Sequence, residues 1–214
     1  MKRALIFLHG NKPNVANIKK TVKKSDTIIC ADGGAEYALE AGLVPEIVLG
    51  DFDSLPLKYQ KKLIELGTSL QEFPTEKDFT DSELAVNYAL AHGYRDLVLF
   101  GVVGTRIDHF LANITYLSKK SQDGIKVIII DNAQIIYLVS YELDLLGKKG
   151  DTVSLIPIEK DADGVTTRGL KWELYNERLL FGATRGVSNE FIKSKAHISI
   201  KKGTLLVIHS KNAS

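Results

Sequence analysis

The sequence predicts two halves of different class: α/β, with a mostly parallel sheet and helices on both faces, followed by an all-β antiparallel sandwich. Three observations predict this. Over the first 131 residues, short apolar runs rich in β-branched side chains alternate with segments of helical period. After Asp131 the helical period stops, and short β-rich runs are separated by glycine turns. Glycine and aspartate fall directly after the apolar runs of the first half, where open parallel sheets bind ligands.

In order, the buried runs at 4–8, 27–31, 47–49, 97–100 and 127–130 read as strands, with a weaker strand at 69–73. Helical patterns fill the gaps at 15–24, 35–41, 58–66, 82–91 and 107–118. In the last of these, Ile107, Phe110, Leu111, Ile114 and Leu117 have the spacing of a core-facing stripe, while Arg106, His109 and Asn113 share another face. Ser54 with Pro56 fits a helix start, and Thr80 with Glu83 fits a capping box. The β-rich runs are 135–139, 152–157, 178–181, 196–200 and 204–209, with Gly147, Gly150, Gly164, Gly169, Gly182, Gly186 and Gly203 as turn signals. The boundary is expected near residue 138.

Composition excludes several classes. The chain has 214 residues, 44% of them hydrophobic and 25% charged, which argues against disorder. A formal net charge of +2 gives no support to a nucleic-acid wrapper or a polybasic membrane protein. The single cysteine, Cys30, rules out an intramolecular disulfide and a thiolate zinc cluster, and reads as a buried small hydrophobe. The apolar run at 4–8 is too short for a signal peptide, and no stretch approaches the ~20 apolar residues of a membrane span. A cytoplasmic location is the expectation.

The average charge hides an asymmetry. Residues 1–30 hold 7 basic and 1 acidic residue, residues 31–110 hold 6 and 14, and residues 111–214 hold 15 and 11. The acidic middle contains the aspartates that end the strands. Asp51 and Asp53 lie two apart in GDFDS and would point the same way on an extended chain. Asp78 and Asp81 precede a helix, and Asp108 begins one. Each alone is an ordinary turn or cap residue. Gathered beyond one sheet edge they would repel each other without a cation, and carboxylates with phosphate oxygens are the ligands Mg²⁺ takes. In the second half the lone Trp172, Ser188 and Asn189 stand out, though a core aromatic and turn residues are ordinary readings for them.

Six segments resemble the thiamine pyrophosphokinase family: CADGGA at 30–35, GDFDS at 50–54, KDFTDSE at 77–83, GVVGTRIDHFLAN at 101–113, TTRGLKW at 166–172 and RGVSNEF at 185–191. They occur in the family's order across both halves. Thr105 departs from the small residue expected there, and the opening His9-Gly10-Asn11 is a loose match. The resemblance implies a Rossmann-like α/β domain at 1–138 that binds the nucleotide, and a β-sandwich at 139–214 that binds thiamine and dimerises. It implies a magnesium-dependent kinase: ATP plus thiamine gives thiamine diphosphate and AMP. Asp51, Asp53 and Asp81 are the implied metal ligands, with Asp78 and Asp108 supporting them or orienting the nucleophile. Asp32, Gly33, Gly34, Lys77, Thr80, Arg106, His109 and Asn113 are the implied nucleotide contacts. Ser188 and Asn189 are the implied thiamine contacts, with Phe191 or Trp172 stacking on the ring. The implied assembly is a homodimer with sites near the subunit interface, with no nucleic-acid or membrane partner. A pyrophosphokinase for another heteroaromatic alcohol, or a non-catalytic nucleotide sensor, are the competing readings.

Overall fold

A computed structural model describes residues 2–74 and 79–212. The chain divides into two compact units, Met1–Asn113 with Ile129–Asn132, and Ile114–Ile128 with Ala133–Ser214. In the first, strands β1 (Arg3–Phe7), β2 (Thr27–Ala31), β3 (Ile47–Gly50), β4 (Ser69–Glu72) and β5 (Asp96–Phe100) alternate with helices α1 (Val15–Thr21), α2 (Gly34–Glu40), α3 (Leu57–Glu65) and α4 (Asp81–Ala91). Helix α5 (Ile107–Gln122) and strand β6 (Lys126–Ile130) run across the division.

The first-unit strands pair in parallel in the order β4-β3-β2-β1-β5. Burial of β1, β2 and β5 on both faces explains their unbroken apolar runs. Phe7 and Phe100 stack at 5.0 Å between ring centroids at the ends of β1 and β5, next to the turns that carry polar residues. The order moves outward from β1 to β4 and then returns to place β5 on the other side of β1. The chain leaves β1 toward β2 and leaves β5 away from it, the reversal of direction at which open α/β sheets accept ligands.

The second unit adds β7 (Gln134–Val139), β8 (Glu142–Leu146), β9 (Thr152–Pro157), β10 (Ala162–Arg168), β11 (Glu177–Leu179), β12 (Asn189–Glu190), β13 (Lys195–Ser199) and β14 (Leu205–Ser210). These form two antiparallel layers, β12-β9-β14-β7 and β11-β10-β13-β8. Val153, Leu155, Leu205 and Val207 from one layer and Leu145, Val165 and Ile198 from the other fill the core between them. The antiparallel sandwich expected from sequence is present. Among the described residues no helix is long and apolar enough to cross a membrane.

Several expectations change. β8, β10 and β12 have no apolar run to betray them: β8 buries one side chain fully, and β10 reads ADGVTTR. α1 ends at Thr21, before the run of lysines that the periodicity had extended to 24. The stripe on α5 buries only Ile114 and Leu117, while Ile107 and Leu111 are 69% and 58% exposed. Pro56 rather than Ser54 is the N-cap of α3, whereas Thr80 does cap α4, accepting from the Glu83 amide at 3.2 Å.

One polar pair holds the second unit together at the ends of β9 and β14. His209 is 2% exposed, and its Nε2 lies 3.1 Å from Asp151 Oδ2, an atom that also accepts from the Lys148 amide. Asp151 Oδ1 accepts from the Asn212 amide at 3.2 Å. Burial alone would raise the Asp151 carboxyl, but the bonds from Lys148, His209 and Asn212 outweigh it and leave it below its ordinary value of 3.8. A depressed acid stabilises the fold above its unfolded pKa and loses that contribution as the pH falls through the folded one. Asp151→Ala is expected to cost about 2 kcal/mol at pH 7, because it takes the acceptor from the buried His209 ring and from the Lys148 and Asn212 amides. Urea unfolding checks this, and the gap to wild type is expected to shrink below pH 3.8.

Candidate functional site

Four strand ends of the first unit build one cleft of about 660 Å³. The turn after β1 supplies His9, Gly10 and Asn11, and β2 is followed by Asp32. The loop after β3 supplies Asp51 and Ser54, and the one after β5 supplies Gly101, Gly104, Thr105 and Arg106. Phe79, Thr80 and Asp81 at the start of α4, and His109 and Asn113 on α5, complete the wall. The turns after β1 and β5 are locked together: Leu8 donates to the Phe100 carbonyl, Gly10 to Gly101 and Asn11 to Val103, at 2.9, 2.9 and 2.6 Å.

Asp32, Asp51 and Asp81 each present an oxygen to this cleft, all within 4.8 Å of one another. Asp32 is 8% exposed and takes a left-handed backbone, φ +46°. Its Oδ2 accepts from the Ser54 hydroxyl, while Oδ1 is buried with no hydrogen-bond partner. Desolvation raises the Asp32 carboxyl; the Ser54 bond opposes this, and the charges of Asp81 and Asp51 add to it. Three hard oxygen donors, one carrying an orphaned buried lone pair, fit a small divalent cation.

Asp53, expected beside Asp51, lies elsewhere. Phe52 between them adopts φ +62°, which breaks the strand's alternation. The Asp53 amide turns back onto Asp51 Oδ1 at 3.2 Å, leaving the Asp53 side chain exposed and outside the cleft lining. Asp32 takes its place in the carboxylate cluster. Asp108 is also off the wall. It pairs with Arg106 at 2.5 Å, and the guanidinium holds its carboxyl at about 2. Arg106, His109 and Asn113 do share a face and line the cleft as their spacing predicts. Gly33 and Gly34 are buried behind the wall, with the Gly33 amide donating to Ser54 Oγ at 3.2 Å. Lys77 and Asp78 lie outside the described residues.

The second unit carries a separate cavity of about 550 Å³, lined by Leu155, Trp172, Glu173, Leu174, Arg185, Gly186, Val187, Ser188 and Asn189. Asn189 spends its amide on structure: Oδ1 accepts from the Trp172 and Glu190 amides, and Nδ2 donates to the Trp172 carbonyl at 2.7 Å. This clamp fixes the segment that presents the half-exposed indole, over which Lys171 Nζ sits 4.6 Å from the ring centroid. Phe191, expected as a possible stacking ring, is a core residue: 1% exposed, 5.1 Å from the His209 ring and absent from the cavity wall. Glu173 lies outside the six family-like segments, and Arg185 enters only as the first residue of RGVSNEF with no role of its own, because nothing in a lone Glu or Arg on a β-rich stretch distinguishes a wall residue from a solvated one.

Comparison with known proteins finds two family profiles matching successive stretches of the chain. The family profile "Thiamin pyrophosphokinase, catalytic domain" matches residues 18–129, and "Thiamin pyrophosphokinase, vitamin B1 binding domain" matches residues 140–205. The chain belongs to the thiamine pyrophosphokinase family. A Bacillus subtilis protein named thiamine pyrophosphokinase is 32% identical over 213 residues, which cover 98% of this chain and 99% of the relative. The crystal structure of thiamine pyrophosphokinase from Bacillus subtilis superposes with a TM-score of 0.90 at 30% identity, covering 99% of this chain and all of that one. The yeast thiamin pyrophosphokinase structure shares the fold, with a TM-score of 0.73 at 20% identity over 98% of this chain and 86% of that one.

Proposed function

We infer that this family member catalyses diphosphoryl transfer from ATP to thiamine, giving thiamine diphosphate and AMP, and that the reaction takes place at the first unit's cleft. The observation that carries the site is the convergence of Asp32, Asp51 and Asp81 beside Arg106, His109 and Asn113. The primary hydroxyl of thiamine gives up its proton to a carboxylate or water of the cleft and attacks the β-phosphorus, the bond to the α,β-bridging oxygen breaks, and AMP leaves with that oxygen. Such transfers depend chiefly on positioning and on neutralising phosphate charge.

The first unit is read as a Rossmann-like nucleotide-binding and catalytic domain. Asp32, Asp51 and Asp81 would hold Mg²⁺, which when bound supplies charge neutralisation for the phosphates. Arg106, His109 and Asn113 are assigned to the polyphosphate, and Thr80 fixes the start of α4 so that Asp81 faces the cleft; Lys77 is kept as a nucleotide contact on the family resemblance alone. Gly33 and Gly34 serve by close approach to the turn after β1: a Cβ on Gly33 would lie 2.6 Å from the His9 ring, and one on Gly34 2.2 Å from the Phe7 carbonyl oxygen. Asp53, Asp78 and Asp108 are kept as supporting acids rather than as members of the cluster.

The second unit is read as the thiamine-binding and dimerisation domain. Its cavity pairs an indole face at Trp172 with a carboxylate at Glu173, a combination that suits the cationic thiazolium. Ser188 and Asn189 form its edge. A homodimer is supported by the exposed Ile107 and Leu111 on α5, apolar side chains that a second copy would cover. Such a dimer would let a site draw on both subunits. A cytoplasmic location agrees with a lone buried Cys30.

The test is magnesium withdrawal. With excess EDTA, release of AMP from ATP and thiamine is expected to fall to background, and added Mg²⁺ is expected to restore it. Undiminished turnover without a divalent ion would sink the metal assignment. Equal AMP release with a pterin alcohol in place of thiamine would sink the substrate assignment.

A further inference from the structure

We infer that Ser54 is a positioning residue: by gripping one oxygen of Asp32 it sets the affinity of the Asp32–Asp51–Asp81 cluster for a divalent cation. This rests on the reading of that cluster as a metal site. The sequence offers Ser54 as a helix cap, yet α3 is capped at Pro56 with no side-chain bond, so the hydroxyl is not used there. It lies instead between two groups of the neighbouring strand end. The Gly33 amide points at Ser54 Oγ at 3.2 Å, and Oγ is within hydrogen-bond reach of Asp32 Oδ2.

The direction of both bonds follows from chemistry. A backbone N–H can only donate, so Ser54 Oγ accepts from Gly33. An ionised carboxylate can only accept, so the single hydroxyl proton is directed to Asp32. Ser54 thereby fixes the carboxylate in one orientation relative to its own backbone. That backbone is already constrained by φ +46° and by the Asp32 amide bond to Leu49 O at 2.9 Å. Oδ1, the oxygen that Ser54 leaves free, is buried without a partner. The arrangement matches outer partners that orient a metal-binding carboxylate, whose loss typically weakens metal affinity about 10- to 100-fold.

The experiment is Mn²⁺ binding to the full chain without substrates, followed by electron paramagnetic resonance of free Mn²⁺, for wild type, Ser54→Ala, Ser54→Thr and Asp51→Asn. Ser54→Ala is expected to raise the Mn²⁺ Kd at least about 10-fold, and Ser54→Thr, which keeps the hydroxyl, to stay within about 3-fold of wild type. In turnover, Ser54→Ala should raise the Mg²⁺ concentration for half-maximal rate at least about 10-fold, and Ser54→Thr should leave it within about 3-fold of wild type. A purely structural serine would lower the unfolding midpoint and leave the Mn²⁺ Kd alone, which would overturn the proposal while leaving the metal site intact. If wild type binds no Mn²⁺, or Asp51→Asn binds it equally well, the metal reading itself fails and the proposal with it. Ser54→Cys, close in shape with a weaker donor, is expected to fall between Ala and Thr and supplies the reading should Ser54→Ala not fold.

Discussion

Asp51→Asn is expected to lower kcat about a hundred- to thousandfold, the usual loss when one preorganised electrostatic group is removed from a phosphoryl-transfer site. The change keeps size and shape and removes only the charge. Asp51 lies on the loop after β3 with one oxygen within 4.8 Å of oxygens on Asp32 and Asp81, and its charge helps to raise the Asp32 carboxyl. In the metal-free protein the three carboxylates repel, so Asp51→Asn is expected to leave the thermal unfolding midpoint unchanged or raised. Opposite movement of activity and stability separates a functional group from a structural one. Asp81→Asn should behave alike, while Asp53→Asn, exposed and off the cleft, should keep most activity. Steady-state AMP release at saturating Mg²⁺ and a calorimetric scan of each metal-free variant check all three. A stability loss in Asp51→Asn equal to its activity loss would remove the electrostatic explanation.

Gly101→Ala is expected to destabilise the protein by on the order of 3 kcal/mol. Two effects combine at this position. Gly101 has φ +69°, and a Cβ there would lie 2.1 Å from the Leu8 carbonyl oxygen. That oxygen belongs to the turn after β1, which the Gly10 amide ties back to the Gly101 carbonyl. The two turns cannot separate without opening the floor of the cleft, so the added methyl has nowhere to go. Gly93 is the control: φ is +82° but nothing lies within 4 Å of a Cβ, so Gly93→Ala should cost only about 1 kcal/mol from backbone strain alone. Urea midpoints of the two variants measure the difference, which isolates the clash. Equal losses would mean that the turns yield freely.

What could be read from the sequence follows the physics of each element. Strands β1, β2, β3 and β5 are buried on both faces, so they appear as unbroken apolar runs, and the aspartates and glycines after them point to a sheet-edge site. β8 and β10 were invisible because each mixes exposed polar residues with few buried ones. The spacing on α5 correctly gathered Arg106, His109 and Asn113, but could not tell that Ile107 and Leu111 face outward, since an apolar stripe looks the same whether the chain's own core or another surface covers it. The substitution of Asp32 for Asp53 in the cluster turns on the positive φ of Phe52, a conformation a bulky aromatic rarely takes and that no local pattern announces. Ser54 carries the same lesson: beside Pro56 it looks like a cap, and only the fold brings Asp32 and Gly33 to its hydroxyl.

The central claim is that diphosphoryl transfer takes place where Asp32, Asp51 and Asp81 converge. A crystal structure with thiamine, Mg²⁺ and a non-hydrolysable ATP analogue tests it most directly. The account predicts density for a divalent ion among these three carboxylates, the polyphosphate against Arg106, and the thiamine hydroxyl facing the β-phosphorus. A nucleotide and metal bound away from the cleft, with the three carboxylates left empty, would contradict it.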